Sequence, residues 1–287
     1  MRDNLPAAQG DSIALPDHRI LALEGPDAAR FAHAQFMSDV AGLPDGQWQW
    51  SGWLTPKGRV VALFALLRFD AQAIWLLLPD ADPRELRDAL QRFVFRSKVT
   101  LAVRDDRHVA GHFASPSRAA GSLIATDTDI ELDAGTAQAP RTMRISGTPA
   151  PANAVAVDRW KTFDLRHGLP RLDPSQANAW TPQQLSLDRL HDYSVKKGCY
   201  PGQEIVARTH FLGQAKRGLV LFDAAGVAAP GADVVDGERA IGTVVSAATH
   251  EDGCIVLAVL PLEVHTAHLH AEGAALTPRP LLDGLAR

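Results

Sequence analysis

The stretch WQWSGWLTPKGRVVALFALLRFDAQAIWLLL, from Trp48 to Leu78, decides the fold of this chain. It contains three apolar runs, at residues 48–54, 59–67 and 73–78, and the segments 55–58 and 69–72 separate them. Runs of this length between turn residues are typical of neighbouring strands in a sheet. The stretch therefore predicts three consecutive strands.

The flanking residues add two helices and two further strands. Residues 20–23 and 99–103 are apolar runs that predict strands, and Pro26 begins a predicted helix to about Ser38. A second helix is predicted from Pro83 to 94, with Asp82 and Glu85 as a capping box. This order predicts an α+β domain with helices on one side of a mainly antiparallel sheet.

The second half of the chain predicts a change of class. Residues 108–157 are rich in small and polar residues, with short β-like pieces at 122–125 and 142–145. A helix is predicted over 158–167, and Thr181 begins another capping box. From Lys216 onward, short β runs alternate with Gly, Pro and Asp, which predicts a small C-terminal β-barrel.

Composition excludes several classes of protein. The 287 residues suffice for two or three domains, and 46% hydrophobic and 22% charged residues are normal for a globular chain. A net charge of −4 predicts no nucleic-acid surface over the whole chain, although it leaves room for a local basic patch. Two cysteines support neither a disulfide framework nor a four-thiolate metal site.

Targeting and cofactor motifs are absent from the sequence. Residues 1–11 contain no apolar stretch of signal-peptide length, and Arg68, Asp70 and Gln72 interrupt the most apolar region. We therefore expect a cytoplasmic protein with no membrane partner. No dinucleotide-binding glycine motif, phosphate-binding P-loop or serine-hydrolase elbow occurs.

The segment around Cys199 carries the clearest chemical signal. The thiol follows two lysines and precedes Pro201, which predicts the first residue of a helix through Arg208. The helix dipole and the lysine charges both favour the thiolate. Glu204 opposes them if it points at the sulfur, or it bonds amides of the first helical turn. The alternative is an idle loop cysteine.

Cys254 and the C-terminal histidines have simpler interpretations. Cys254 lies in an apolar run, which predicts a buried core residue. His265, His268 and His270 suggest a metal site, but only Glu263 is nearby, and we expect an exposed strand without a permanently bound metal.

Several motifs together resemble those of the YgfZ family, which is related to the T-protein (aminomethyltransferase) of the glycine cleavage system. The most specific is Lys-Gly-Cys-Tyr-Pro-Gly-Gln-Glu at 197–204, followed by Ile-Val-Ala-Arg. Weaker matches lie at 24–27, 35–40, 55–60, 95–99, 160–170 and 181–183. The resemblance covers about residues 18–220.

The resemblance implies a three-domain cloverleaf around a channel that holds tetrahydrofolate. It implies a discontinuous folate-binding α+β module at 1–46 and 156–205, a second α+β module at 47–155 and a C-terminal β-barrel at 206–287. It also implies functional roles for the motif residues: Cys199, Lys197, Gly198, Tyr200, Gly202, Gln203 and Glu204.

Two positions match the folate contacts of the family. Trp160 matches an aromatic residue that contacts folate, although a helix-core role beside Phe163 is the alternative. His18 stands where some relatives have a second tryptophan, and an imidazole offers less stacking area. The basic residues near the motif, which a solvated face explains equally well, suit a folate tail, a tRNA or an acidic partner: Lys196, Lys197, Arg208, Lys216 and Arg217.

Three functions remain open at this level. The first is a tetrahydrofolate-binding accessory protein in iron–sulfur cluster assembly or repair, with Cys199 as functional thiolate and iron–sulfur proteins, including tRNA-modifying enzymes, as partners. The second is a folate-dependent aminomethyl transferase. The transferase's acidic residue has no clear counterpart at 76–80, which counts against it. The third is a folate-binding scaffold with an inert cysteine.

Overall fold

The computed structural model describes residues 12–213, 215–250, 253–263 and 268–287. Residues 1–11, for which the sequence predicts no signal peptide, lie outside the described residues, as does His265. The helices are α1 (Ala28–Gln35), α2 (Pro83–Gln91), α3 (Ala154–Arg166) and α4 (Gln203–Leu212). The strands are β1 (Ile13–Ala14), β2 (Arg19–Glu24), β3 (Gln47–Leu54), β4 (Val60–Arg68), β5 (Ala73–Leu78), β6 (Thr100–Val103), β7 (His108–His112), β8 (Ala125–Thr126), β9 (Ile130–Asp133), β10 (Thr142–Ser146), β11 (Arg217–Ala224), β12 (Asp233–Asp236), β13 (Arg239–His250), β14 (Gly253–Pro261), β15 (Leu269–Ala271) and β16 (Ala274–Arg279).

The first sheet has the order β3-β4-β5-β2-β6, and all its pairs are antiparallel. Both faces of its central strands are covered, which explains why β5 is apolar at every position. Leu76 and its period-two neighbours join one core with residues of α1 and α2, whereas Trp75 and Leu77 join the central core. The predicted three strands and the two covering helices are confirmed.

The second sheet has the order β1-β7-β10-β9-β8 and is also antiparallel. Its residues share the central core with the inner face of the first sheet, with α3 and with barrel strands; Leu132, Trp160 and Leu257 are examples. The sequence predicts only fragments of this sheet, because two of its strands have just two residues.

The C-terminal strands close into a barrel in the order β11-β14-β13-β12-β15-β16, as the sequence predicts. Closure leaves no free edge strand. Cys254 in β14 is 4% exposed, which confirms its expected place in the core. Helix α3 packs against β13 and β14 and so connects the barrel to the central core.

Several predicted helix bounds differ from the structure, and α1 ends at Gln35, before the predicted end near Ser38. Helix α2 ends at Gln91, and Phe93 is 48% exposed beyond it. Helix α3 begins four residues early, because Asn153 caps it through the amide of Ala156. No α-helix begins at Thr181, although its capping box with Gln184 forms, because Ser186 adopts a left-handed conformation with φ +50°.

The strand pairing crosses the predicted module boundaries. β2, from the first predicted module, lies between β5 and β6 of the second, and α4 spans the boundary at 205/206. The division into domains at 1–46 with 156–205, 47–155 and 206–287 stays a prediction. None of the helices among the described residues has the length and apolar character needed to cross a bilayer.

Candidate functional site

Cys199 lies in the loop before α4, and its thiol is exposed and free. Gly198 beside it is also exposed, and a Cβ added there would meet no atom within 4 Å. Cys199 is therefore accessible from solvent. We call residues 194–202 the cysteine loop.

Lys197 points away from the thiol, into the protein. It is 8% exposed, and its ammonium donates hydrogen bonds to the carbonyls of His33, Phe36 and Ser38, the last at 3.0 Å. These carbonyls lie at the C-terminal end of α1, where a helix leaves acceptors unpaired. Lys197 thus caps α1 from the cysteine loop, and burial lowers the pKa of Lys197 to about 8.

Tyr200 and Gln203 close the loop from the other side. Tyr200 is 6% exposed, and its hydroxyl donates to the Ser194 carbonyl at 3.1 Å. Burial raises the pKa of Tyr200, so the phenol keeps its donor proton. The Gln203 amide donates to the Lys197 carbonyl at 2.9 Å. Cys199 is thus exposed between two neighbours that are anchored in the protein.

Two glycines set the base of the loop. Gly202 has φ +79°, and a Cβ there would lie 2.6 Å from the Thr55 carbonyl and 2.8 Å from the Gly58 Cα. Gly58 has φ +68°, and its added Cβ would lie 2.9 Å from that of Ile205. The turn at 55–58 therefore packs directly on the start of α4. Because Gly202 is left-handed, α4 begins at Gln203, two residues after the predicted Pro201.

Several charges surround this base. Glu204 is exposed in the first turn of α4, where a carboxylate interacts favourably with the helix dipole. Lys196, Arg208 and Lys216 are exposed, and Lys57 is exposed next to Gly58. Lys57 is thus a cation that the turn at 55–58 brings to the start of α4 from far away in sequence.

Trp160 and His18 both line a small chamber in the central core. Trp160 is 1% exposed, with the Arg141 guanidinium 3.9 Å from its ring and the Gly111 backbone in contact with it. The chamber measures about 10 Å³. Burial, together with the charge of Arg171, holds the pKa of His18 well below its usual range. His18 is therefore neutral, and its Nδ1 has no partner among the described residues.

A buried ion cluster borders this chamber. Asp164 is 2% exposed and accepts from Arg141 at 2.7 Å and from Arg171 at 3.2 Å. Arg171 also binds Asp80 through two contacts of 2.8 Å. Each guanidinium is thus matched by a carboxylate, as buried charges require.

A larger cleft of about 220 Å³ lies on another face of α3. Phe113 and Phe163 supply aromatic rings, and Arg159 and Arg166 add two cations. The Thr162 hydroxyl is buried there without a partner among the described residues. Aromatic rings, guanidinium groups and an unpaired hydroxyl suit a planar ligand that carries carboxylates.

Comparison with known proteins places the chain among relatives of similar length. No protein-family model matches it. An uncharacterised protein of Haemophilus influenzae is 30% identical over 213 residues, which is 73% of this chain and 72% of that protein. The tRNA-modifying protein YgfZ of Cronobacter sakazakii is 28% identical over 280 residues, 86% of this chain and 83% of the relative. The chain belongs to the YgfZ family.

The fold agrees with this assignment. The glycine cleavage system aminomethyltransferase T of Bartonella henselae superposes with a TM-score of 0.69 at 15% identity, covering 96% of this chain and 87% of the enzyme. The α+β fold of the aminomethyltransferase type with a C-terminal barrel is confirmed.

In this YgfZ-family chain, the structure separates the predicted site residues into two groups. All seven motif residues from Lys197 to Glu204 lie in or next to the cysteine loop, whereas Trp160 and His18 lie in the chamber. Sequence reasoning missed the cleft. Its signal was the spacing of Arg159, Phe163 and Arg166 along one face of the predicted helix.

The C-terminal histidines stay apart from these sites. His268 is exposed at a left-handed turn, and His270 lies in β15. Among the residues that the structure describes, no group of three or more His, Cys, Asp or Glu side chains is placed to hold a metal ion.

Proposed function

We propose that this protein is a tetrahydrofolate-binding accessory factor in iron–sulfur cluster assembly or repair, with Cys199 as its functional thiolate. The observation that carries the proposal is the cysteine loop. Lys197, Tyr200 and Gln203 are each fixed by hydrogen bonds, yet the thiol between them is exposed. A loop built in this way presents one sulfur to an incoming partner.

One thiolate supplies one ligand, and a cluster is usually held by four. The remaining ligands must come from a partner protein or from a low-molecular-weight thiol. We therefore propose that Cys199 acts only within such a complex, with iron–sulfur proteins as clients. Relatives bear the name tRNA-modifying protein, which supports tRNA-modifying iron–sulfur enzymes as clients.

The cleft on α3 is the proposed place for the folate. Its volume of about 220 Å³ compares with about 10 Å³ for the chamber of Trp160 and His18. Arg141 and His167 lie over the Phe163 ring, and Arg159 lies over the Phe113 ring at 4.1 Å, so both rings line the cleft by their edges. The outer plane of the Arg159 guanidinium offers a stacking surface for the flat rings, and Arg166 offers a charge for the glutamate tail. Under this proposal Trp160 supports the cleft from beneath through Arg141 and Phe113, which contact both.

The test uses purified protein and a strain that lacks the endogenous YgfZ-family protein. Cys199→Ala should abolish rescue of an iron–sulfur tRNA-modifying enzyme while tetrahydrofolate affinity by calorimetry stays within about twofold. Arg166→Glu should weaken tetrahydrofolate binding at least about tenfold through charge reversal. Cys254→Ala serves as the matched cysteine control and should rescue fully.

Two results would contradict the proposal. Full rescue by Cys199→Ala would favour a folate-binding scaffold with an inert cysteine. Turnover of an aminomethyl donor with tetrahydrofolate by the purified protein would favour the transferase. The lack of a clear counterpart to the transferase's acidic residue at 76–80 counts against that second function.

A further inference from the structure

A second cavity, of about 250 Å³, lies where α2 and the segment 172–178 meet the outer face of the first sheet. We call it the Trp53 cavity. Val61, Ala62, Leu86 and Ala89 contribute to an apolar lining. The segment 172–178 is held in place by backbone hydrogen bonds, such as that from the Asn178 amide to the Val60 carbonyl. The cavity is therefore part of the packed structure.

Trp53 is the largest side chain that lines this cavity. The residue is 8% exposed, and its indole Nε1 is buried with no partner among the described residues. Because that nitrogen is inaccessible to solvent, other atoms of Trp53 form the lining, and the indole signal reports on what enters the cavity.

The mouth of the cavity is acidic. Glu85 and Asp173 are exposed lining residues, and within the described part of the chain neither forms an ion pair. Hydrogen bonds from Ser175 lower the pKa of Asp173, which keeps it ionised. The cations on α2 are already matched: Arg84 pairs with Asp105, and Arg87 pairs with Asp88. Two carboxylates thus remain for a cation from outside.

An apolar surface continues from the cavity. The ring of Phe93 meets Trp53 edge to face at 6.0 Å and is 48% exposed, and Phe95 is 87% exposed. Aromatic side chains this exposed, beside a cavity, are typical of interaction surfaces.

We propose that the Trp53 cavity binds a segment of a partner protein in which a lysine or arginine side chain stands next to an apolar one. The cation meets Glu85 and Asp173, and the apolar side chain packs in the cavity and covers Phe93. Trp53 also forms a β-bridge with Phe36, whose carbonyl Lys197 binds. A partner seated here therefore contacts the same framework that holds the cysteine loop.

The test follows the indole N–H signals of the six tryptophans by NMR. The probe is the dipeptide Ac-Lys-Leu-NH2, and Ac-norleucine-Leu-NH2 is the uncharged control of similar shape. The indole signal that disappears in Trp53→Phe belongs to Trp53. If Trp53→Phe does not fold, Phe93→Ala assigns the signal instead, because removal of the neighbouring ring shifts the Trp53 resonance. The lysine probe should shift the Trp53 signal saturably and bind at least about fivefold more tightly than the control.

The variant Glu85→Gln with Asp173→Asn should remove that preference, whereas Asp88→Asn on the same helix should keep it. An unshifted Trp53 signal would overturn the proposal. Equal binding of the two dipeptides would show that the carboxylates do not recognise the cation, and it would also overturn the proposal. Equal binding of putrescine and Ac-Lys-Leu-NH2 would make it a site for small amines and would also overturn the peptide proposal.

Discussion

The ion cluster of Arg141, Asp164 and Arg171 and the cysteine loop treat their polar groups in opposite ways. In the cluster every charge is buried and matched, with contacts of 2.7–3.2 Å at Asp164. In the loop the neighbours are anchored, and the thiol of Cys199 is left outside. The cluster joins three parts of the chain. The hydrogen bonds of the loop instead fix the residues around Cys199 and leave its sulfur exposed. The two regions should therefore respond differently to substitution.

The largest effect is expected in the cluster. Asp164→Ala leaves two buried guanidinium groups without their shared carboxylate, which should lower the free energy of unfolding by about 3–5 kcal/mol. Denaturant titration measures the change. Asp105→Ala, which breaks the exposed pair with Arg84, should cost at most about 1 kcal/mol. Equal losses in the two variants would show that burial does not set the difference.

The base of the cysteine loop should be the next most sensitive position. Gly202→Ala adds a Cβ at φ +79° that would lie 2.6 Å from the Thr55 carbonyl. Strain of this kind should cost about 1–3 kcal/mol in the same titration. Gly198→Ala is the control, since its added Cβ meets nothing within 4 Å, and it should cost less than about 1 kcal/mol. An unchanged free energy of unfolding in Gly202→Ala would mean that the turn at 55–58 moves away from the start of α4 at little cost.

The chamber should respond to pH through His18. Because burial lowers its pKa in the folded state, the unfolded chain takes up a proton below about pH 6.5 and the folded chain does not. The contribution of His18 to the free energy of unfolding is therefore fully present above about pH 6.5 and decreases as the pH falls below it. Between about pH 7.5 and about pH 5.5, the wild type should lose about 1 kcal/mol relative to His18→Gln. Parallel curves for the two proteins would contradict a neutral, buried His18.

The smallest effect on stability should come from the thiol itself. Cys199→Ala removes an exposed side chain, so the free energy of unfolding should stay within about 0.5 kcal/mol. Cys254→Ala, in the barrel core at 4% exposure, should cost about 1 kcal/mol or more. A strong loss in Cys199→Ala would place the thiol among the structural residues and weaken the contrast with the cluster.

The sequence predicts much of the fold, because the strands of the first sheet and the barrel have long apolar runs whose burial decides their pairing. It does not predict β1, whose two residues pair with Gly111 and Ala110 of β7, far along the chain. The Thr181 capping box shows the same limit, since a correct local signal was overridden at Ser186. Tertiary context decides both cases.

The candidate site follows a similar division. The motif at 197–204 identifies the cysteine loop, but the inward direction of Lys197 depends on carbonyls of α1, more than 150 residues earlier. The cleft combines α3 with residues 138–141 and Leu282, so no single segment contains it. Whether Trp160 and His18 contact folate stays a prediction.

The arrangement of the cores has a consequence for the order in which the protein folds as it leaves the ribosome. The core under α1 and α2 uses residues 21–101 only, and the barrel core uses residues 222–276. The central core contains residues from Ile13 to Leu285. The Trp50 indole donates a hydrogen bond to the Leu285 carbonyl, 235 residues later in the chain. The core under α1 and α2 can therefore close during synthesis, whereas the barrel core needs Leu276 and the central core needs Leu285. The central core must form last, and it has the largest loop-closure entropy. Until then the inner face of the first sheet remains uncovered, and that interval is when the nascent chain most needs protection from aggregation.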